Sequence, residues 1–300
     1  GSTQRAYALD IAVTFEGTAW DAKRKAVFNE VVELWEKQLQ GSQTVQLKVS
    51  LTPLSGSVQG WGRPTCSRRV AAFPVAYVRY PIAEWAQITG NAQGATAQED
   101  SQNVGFHMLM AFDSDYAYPT PSGTLTTEYP WNWDYTKPPQ TRPLYDANGV
   151  LISSVEELDF VTVALHELGH ALGFLTEMME DGSQLVANEP YRYDIELGAT
   201  YPDPDLISFF LPLQNAARSN IMKSGGDSGM LYWNGSATRE HAKSSIDPPE
   251  VLLGGYIQMY TPTTWSSASS VSHWTRGLGN DYIMASTGDD AYWRSLDLTP

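Results

Sequence analysis

The feature that most constrains this chain is an apolar segment with three ionisable groups set inside it. Leu158, Phe160, Val161, Val163, Ala164, Leu165, Leu168, Ala171 and Leu172 are apolar on most faces of a helix, so the segment should run through a protein interior. His166, Glu167 and His170 fall within that stretch. Burying such groups is costly unless each finds a partner, so a core built on this helix needs something to satisfy them. Ser153 and Ser154, each followed three residues later by Glu156 and Glu157, have the capping-box spacing and predict a helix from about Val155 to Leu172.

A four-residue step turns an α-helix by roughly 400°, so His166 and His170 project from one face, one turn apart, as two ligands of a single ion must. Glu167 lies beside them, where its carboxylate can take a proton from water on that ion without joining the coordination shell. Two neutral imidazoles plus a third would leave zinc its full charge and one open position, bringing the pKa of a bound water toward about 7. The competing reading is a pair of satisfied core histidines on a buried helix.

Composition removes other classes. The 300 residues, 42% of them hydrophobic, can bury the core of one large domain or of two subdomains around a cleft. No stretch approaches the roughly 18 consecutive apolar residues of a membrane span. A formal charge of −15 with only 19 Lys and Arg argues against nucleic acid and anionic membranes, both of which need clustered basic residues. Arg63, Arg68 and Arg69 form the densest basic group and read as a solvated loop. The single cysteine, Cys66, excludes an intramolecular disulfide and reads as a buried or incidental thiol. The N-terminal residues pass straight into strand-like sequence, from which removal of any signal or pro-segment is expected.

Residues 7–15 and 45–51 alternate as strands do, and between them Ala26, Val27, Val31, Leu34, Trp35 and Leu39 recur at helical spacing over residues 19–39. Gly41 is placed to terminate that helix. Residues 73–80 and 106–112 are further strand candidates, the second followed by an Asp113-Ser114-Asp115 turn. Residues 116–149, rich in Pro, Tyr, Trp and Gly, read as a surface insertion outside the core. The expected organisation is an N-terminal subdomain, 1–173, ending at the histidine-bearing helix, and a less regular C-terminal subdomain, 174–300.

The segment His166-Glu167-Leu168-Gly169-His170-Ala171-Leu172-Gly173 resembles the active-site helix of the metzincins, in which the glycine ends the helix and turns the chain toward a third ligand. The usual metzincin pattern has a histidine three residues after that glycine, where this chain has Thr176. One branch, the leishmanolysins and their bacterial relatives, carries a long insertion at that point. Ser272-His273-Trp274, with Met284 eleven residues beyond the histidine, resembles the leishmanolysin segment that holds the third ligand and the Met-turn. The resemblance covers roughly residues 155–175 and 271–285, with looser similarity in the N-terminal strand-helix-strand and in 231–235. It implies an α+β, metzincin-type zincin: a twisted mixed sheet with a backing helix and an active-site helix, then an irregular C-terminal subdomain. It further implies a zinc-dependent endopeptidase acting on protein or peptide substrates, with one zinc on His166, His170 and His273, Glu167 as general base and Met284 as an apolar floor. A secreted or cell-surface bacterial protein is expected, and the lone cysteine fits a relative with the catalytic domain only.

Several alternatives stand beside this. Glu177, Glu180 or Glu189 could supply a carboxylate third ligand, as in gluzincins, although Gly173 favours a histidine. His107, in an apolar strand, and His241, in a polar stretch, read as non-ligands. Asp113-Ser114-Asp115, Asp146-Ala147-Asn148-Gly149 and Asp203-Pro204-Asp205 could bind calcium, yet none has EF-hand spacing, so calcium is unsupported. Ten Trp and sixteen Tyr, with Trp131 and Trp133 clustered, would suit a glycan-binding adhesin, which has no use for Glu167; glycan contact through these two rings stays a secondary expectation. Substrate is expected to add as a β-strand to a sheet edge, with residues 106–112 as that edge.

Overall fold

Val45, Leu47, Val49 and Leu51 alternate with partly exposed residues, and that period of two makes Thr44–Thr52 an inner strand of the main sheet. The protein is described from a computed structural model covering residues 7–55, 58–70, 78–114, 131–134, 136–137, 139–145, 151–200, 208–225, 230–236, 251–252, 256–267, 269–275 and 284. It is a mixed α/β chain with a mixed sheet and several helices, compatible with the α+β class. Its residues cluster into two compact units, one built on Gly1–Cys66 and Ala86–Leu172, the other on Ser67–Trp85 and Gly173–Ala291. Among the described residues no helix is long and apolar enough to cross a membrane. His241, the acidic turns at 146–149 and 203–205, and most of the strand expected at 73–80 lie outside the described residues.

In the first unit, Asp10–Glu16 pairs parallel with Thr44–Thr52, which pairs parallel with Met108–Asp113, and Gly60–Pro64 closes the sheet antiparallel. The expectation that residues 106–112 form the edge is therefore corrected: Met108–Asp113 is an inner strand, and the edges are Asp10–Glu16 and Gly60–Pro64. Met108–Asp113 is buried at every position, as an inner strand covered on both faces must be, and its unbroken apolar run carries that information. Gly60-Trp61-Gly62-Arg63-Pro64 has neither alternation nor β-branched residues, so it gives no strand signal. Proline at its end suits an edge.

The backing helix is Ala22–Gln38, capped by Asp21, whose carboxylate accepts from the Arg24 N–H at 2.8 Å, and it buries Val27, Phe28, Val31 and Val32. Gly41 does not terminate it. Leu39 is already extended, and Gly41 sits in the two-residue strand Gln40–Gly41, where a Cβ would lie 2.7 Å from Leu9 Cδ1.

The histidine-bearing helix is shorter than its capping signal predicts, Phe160–Leu172. Ser153 and Ser154 lie instead in the strand Leu151–Glu156, paired antiparallel with Thr141–Tyr145, and the Glu157 carboxylate accepts from the Gln140 N–H at 3.1 Å. Backbone pairing thus takes precedence over a local cap. The first turn is secured by Asp159, whose Oδ2 accepts from the Thr162 hydroxyl at 2.8 Å.

Trp131 and Trp133 correct the surface-insertion expectation. Trp131 is 8% exposed and its indole N–H donates to the Asp113 carbonyl at 2.8 Å. The Trp133 ring centroid is 4.0 Å from that of Phe160, which itself lies 4.9 Å from Phe112. These rings, with Trp20 and Phe28, form an aromatic core against the first residue of the histidine-bearing helix. A buried Trp131 offers no platform for a sugar.

The second unit is more regular than its sequence suggests. Ser208–Phe209, Leu197–Ala199, Leu231–Trp233, Tyr256–Gln258 and Val251–Leu252 form, in that order, an antiparallel sheet. Strands of two or three residues are too short for alternation to register. Their core includes Tyr191, Tyr193, Phe210, Met222, Met259, Val271 and Met284.

Because Trp131 is packed rather than displayed, Trp131→Ala should destabilise the protein by about 3 kcal/mol, as large-to-small changes in cores do. Urea unfolding measures this; a change within about 0.5 kcal/mol, usual for surface sites, would return the ring to the surface.

Candidate metal centre

The helix Phe160–Leu172 presents His166 and His170 one turn apart, and their Nε2 atoms are 3.0 Å from each other with the rings nearly perpendicular at 86°. Its backbone is fixed at the preceding residue, where the Trp35 indole N–H donates to the Leu165 carbonyl at 3.1 Å. His170 is buried and His166 half-buried.

Glu167 is set by the edge strand. A Cβ at Gly62 would stand 1.9 Å from the Glu167 carbonyl oxygen, so strand and helix meet at a contact that only glycine allows. The Gly62 N–H bonds the Glu167 side chain. Burial pushes this carboxyl up to about 8, and the Gly62 N–H opposes the shift. A cation held by the adjacent histidines would draw it down again.

Gly173 ends the helix as expected, at φ +120, and a Cβ there would meet Pro81 Cγ at 2.5 Å. Thr176, at the position where the common metzincin pattern has its ligand, has a different use here. Its hydroxyl donates to Asp194 Oδ1 at 2.6 Å, and its backbone N–H donates to Ser272 Oγ at 3.1 Å.

His273 is buried, with Nδ1 2.8 Å from the Ser269 carbonyl and its own carbonyl accepting from the Tyr260 N–H at 2.8 Å. A carbonyl partner places the proton on Nδ1, the tautomer in which Nε2 carries the lone pair that could coordinate a metal ion. The Trp274 N–H donates to the Met284 carbonyl at 2.8 Å, and the Met284 side chain is buried.

The ligand-capable atoms of His166, His170 and His273 all lie within 4.8 Å of one another, close enough to bind a metal ion. Three imidazole nitrogens are a donor set that zinc accepts. Among the described residues this is the group of three or more histidine, cysteine or carboxylate side chains that meets that distance. The rival carboxylates are engaged elsewhere. Glu177 accepts from the Ser67 hydroxyl at 2.8 Å and faces Arg79, Glu189 pairs with Arg69 and Arg79 at 3.3 Å each, and Glu180 pairs with Lys223. His107 is a core histidine whose Nδ1 accepts from the Gln46 N–H at 3.0 Å. Asp113 Oδ1 accepts from the Leu54 N–H, and Cys66 is outside any disulfide.

Gly62, Tyr193 and Asp194 escaped sequence reasoning, because none stands at a fixed spacing from the histidine motif. Asp194 is 1% exposed, and burial lifts its carboxyl to about 7, aided by the Glu177 charge and opposed by bonds from Thr176 and the Glu177 N–H and by Arg218.

No protein-family model matches the chain, and neither a curated protein nor a solved structure matches it.

Two expectations follow from this geometry. Gly62→Ala must separate the edge strand from the helix and should destabilise the protein by about 1–3 kcal/mol, as overpacking does; an unchanged denaturation midpoint would contradict the contact. The second concerns pH. Asp194 ionises near 3.8 in the unfolded chain and near 7 in the fold, so between these values the native state binds more proton and stability falls as pH rises. In metal-free protein, Asp194→Asn should flatten the thermal midpoint from about pH 4 to 7 relative to wild type. Parallel profiles would show that Asp194 does not titrate in this window.

Proposed function

We propose that this chain is a zinc-dependent endopeptidase of the leishmanolysin-like metzincin kind, secreted or displayed at a cell surface. The observation that carries the reading is the grouping of His166, His170 and His273, with Glu167 next in sequence to the first of them. These three imidazoles would hold the ion, with Met284 as the apolar floor that the resemblance implies. When bound there, zinc supplies Lewis-acid chemistry, polarising a peptide carbonyl and acidifying water.

Glu167 is the general base. Its carboxylate takes the proton of the attacking water and delivers it to the leaving amine, and the Gly62 N–H keeps the side chain in place for both transfers. The peptide lies extended along Gly60–Pro64, because of the two edge strands of the four-stranded sheet this one meets the helix at Glu167. Alternate residues of the edge, Trp61 and Arg63, are the exposed ones. Together with the substrate's own alternation they give the edge its selectivity.

Glu167→Gln preserves shape but cannot accept a proton. It should keep stoichiometric zinc while casein hydrolysis falls by about 10²–10⁴-fold. His273→Ala should lose both zinc and hydrolysis, whereas Glu189→Ala and His241→Ala should lose neither. Metal analysis and a cleavage assay on the same preparations decide it. Wild-type turnover in Glu167→Gln removes the general base, and zinc lost from Glu189→Ala but kept in His273→Ala moves the protein to the carboxylate-ligand class.

A further inference from the structure

Two residues before His273, the backbone adopts a conformation that its side chain disfavours. Val271 is β-branched, fully buried and held at φ 68, in the left-handed region. Such a residue persists there only where its surroundings over-determine it. Here the determinants are identifiable. The Val271 N–H donates to the Tyr260 carbonyl at 2.8 Å, and the Val271 carbonyl accepts from the Tyr193 hydroxyl at 2.7 Å. The next residue is held as well, since Ser272 Oγ accepts from the Thr176 N–H and Thr176 in turn donates to Asp194.

Consecutive residues at the start of one 3-10 turn, Tyr193 and Asp194, therefore brace consecutive residues of the ligand loop, Val271 and Ser272. The first brace is direct and the second runs through Thr176. The phenol is well placed to act as a permanent donor. Its ring is fixed between Phe174, at 5.0 Å, and Trp233, at 4.8 Å, and burial beside Asp194 holds it protonated. Without the hydroxyl, a buried carbonyl loses its partner and nothing on that side opposes relaxation of Val271 to an ordinary φ. The peptide that relaxes leads directly into Ser272 and His273.

We propose that Tyr193 is a positioning residue for the third ligand: its hydroxyl locks the strained Val271 turn and so aims His273 before any metal arrives. This rests on the reading of His166, His170 and His273 as a metal centre. Outer partners of metal ligands commonly change affinity by about 10–100-fold when removed, and Tyr193 acts one step further back, through the backbone.

The test compares Tyr193→Phe with Tyr232→Phe, a control that removes another largely buried phenol of the same unit, one bonded to Thr200. Zinc affinity is measured against a chromophoric chelator, the visible spectrum of the cobalt(II) form reports ligand geometry, and amide hydrogen exchange at Val271 is followed in metal-free protein. Tyr193→Phe should weaken zinc binding by about 10–100-fold, alter the cobalt spectrum and accelerate exchange at Val271, while Tyr232→Phe matches wild type in all three. Unchanged affinity and exchange in Tyr193→Phe, or an equal loss of affinity in Tyr232→Phe, overturns the proposal while leaving the metal centre intact. A wild-type protein with no zinc affinity overturns the centre itself, and with it the ligand role of His273. Should Tyr193→Phe fail to fold, Thr176→Val reads the second brace, and wild-type affinity there would count against the bracing turn.

Discussion

Desolvation of ionisable side chains on one apolar helix is the constraint on which the rest depends. Phe160, Val161, Ala164, Leu165, Leu168 and Ala171 are all buried, so the helix cannot turn its histidines and glutamate to solvent without exposing its core face. The groups must be satisfied where they stand. Glu167 receives a backbone N–H from Gly62, and the imidazoles of His166 and His170 converge within reach of His273. Burial pushes the Glu167 carboxyl up to about 8 even though the Gly62 N–H opposes the shift. A cation reverses the balance, since it stabilises a neighbouring carboxylate and uses the lone pairs that the imidazoles present.

The first unit is arranged around this helix in ways that exclude bulk. Phe112, Trp131 and Trp133 press on Phe160 at its start, the Trp35 indole is bonded at Leu165, and the edge strand contacts it at a glycine. Each contact fixes the helix by a different physical means: ring packing, a hydrogen bond and close backbone approach. Their common effect is that His166, Glu167 and His170 ride on a firmly held element, as a precise site requires.

Legibility followed the range of the signal. The strands at 10–16 and 44–52, the helix at 22–38, the placing of His166, Glu167 and His170 on one helix and the glycine at 173 were readable because a repeat or a spacing carried them. Where two rules competed, the sequence could not arbitrate: Ser153 and Ser154 fit a capping box, yet strand pairing with Thr141–Tyr145 claims them. Composition misled at Trp131 and Trp133, since aromatic residues in a Pro- and Gly-rich stretch look the same whether they cover a core or decorate a loop. The strand Gly60–Pro64 was invisible for the reason that lets it approach the helix. Gly62 is selected by a backbone contact across the fold, and such a contact leaves no periodicity behind.

His273 shows how a side chain about a hundred residues from His166 and His170 can be positioned by its own surroundings. Closing so long a segment of chain by the metal alone would charge the whole ordering entropy to coordination, and affinity would fall accordingly. In this protein much of that ordering is already done by the second unit's own core. Met259 pairs with Trp274, Tyr260 bonds both Val271 and His273, and the Met284 carbonyl holds the Trp274 N–H. The loop is thus bonded along the residues that follow the strand Tyr256–Gln258. The strained φ at Val271 is the local cost of that arrangement, and it is tolerable because the surrounding bonds leave the turn no nearby alternative. Thr176 holds the loop from the other side, its N–H bonded to Ser272 Oγ and its hydroxyl to Asp194, so the position of His273 is set by side chains and backbone of the same unit.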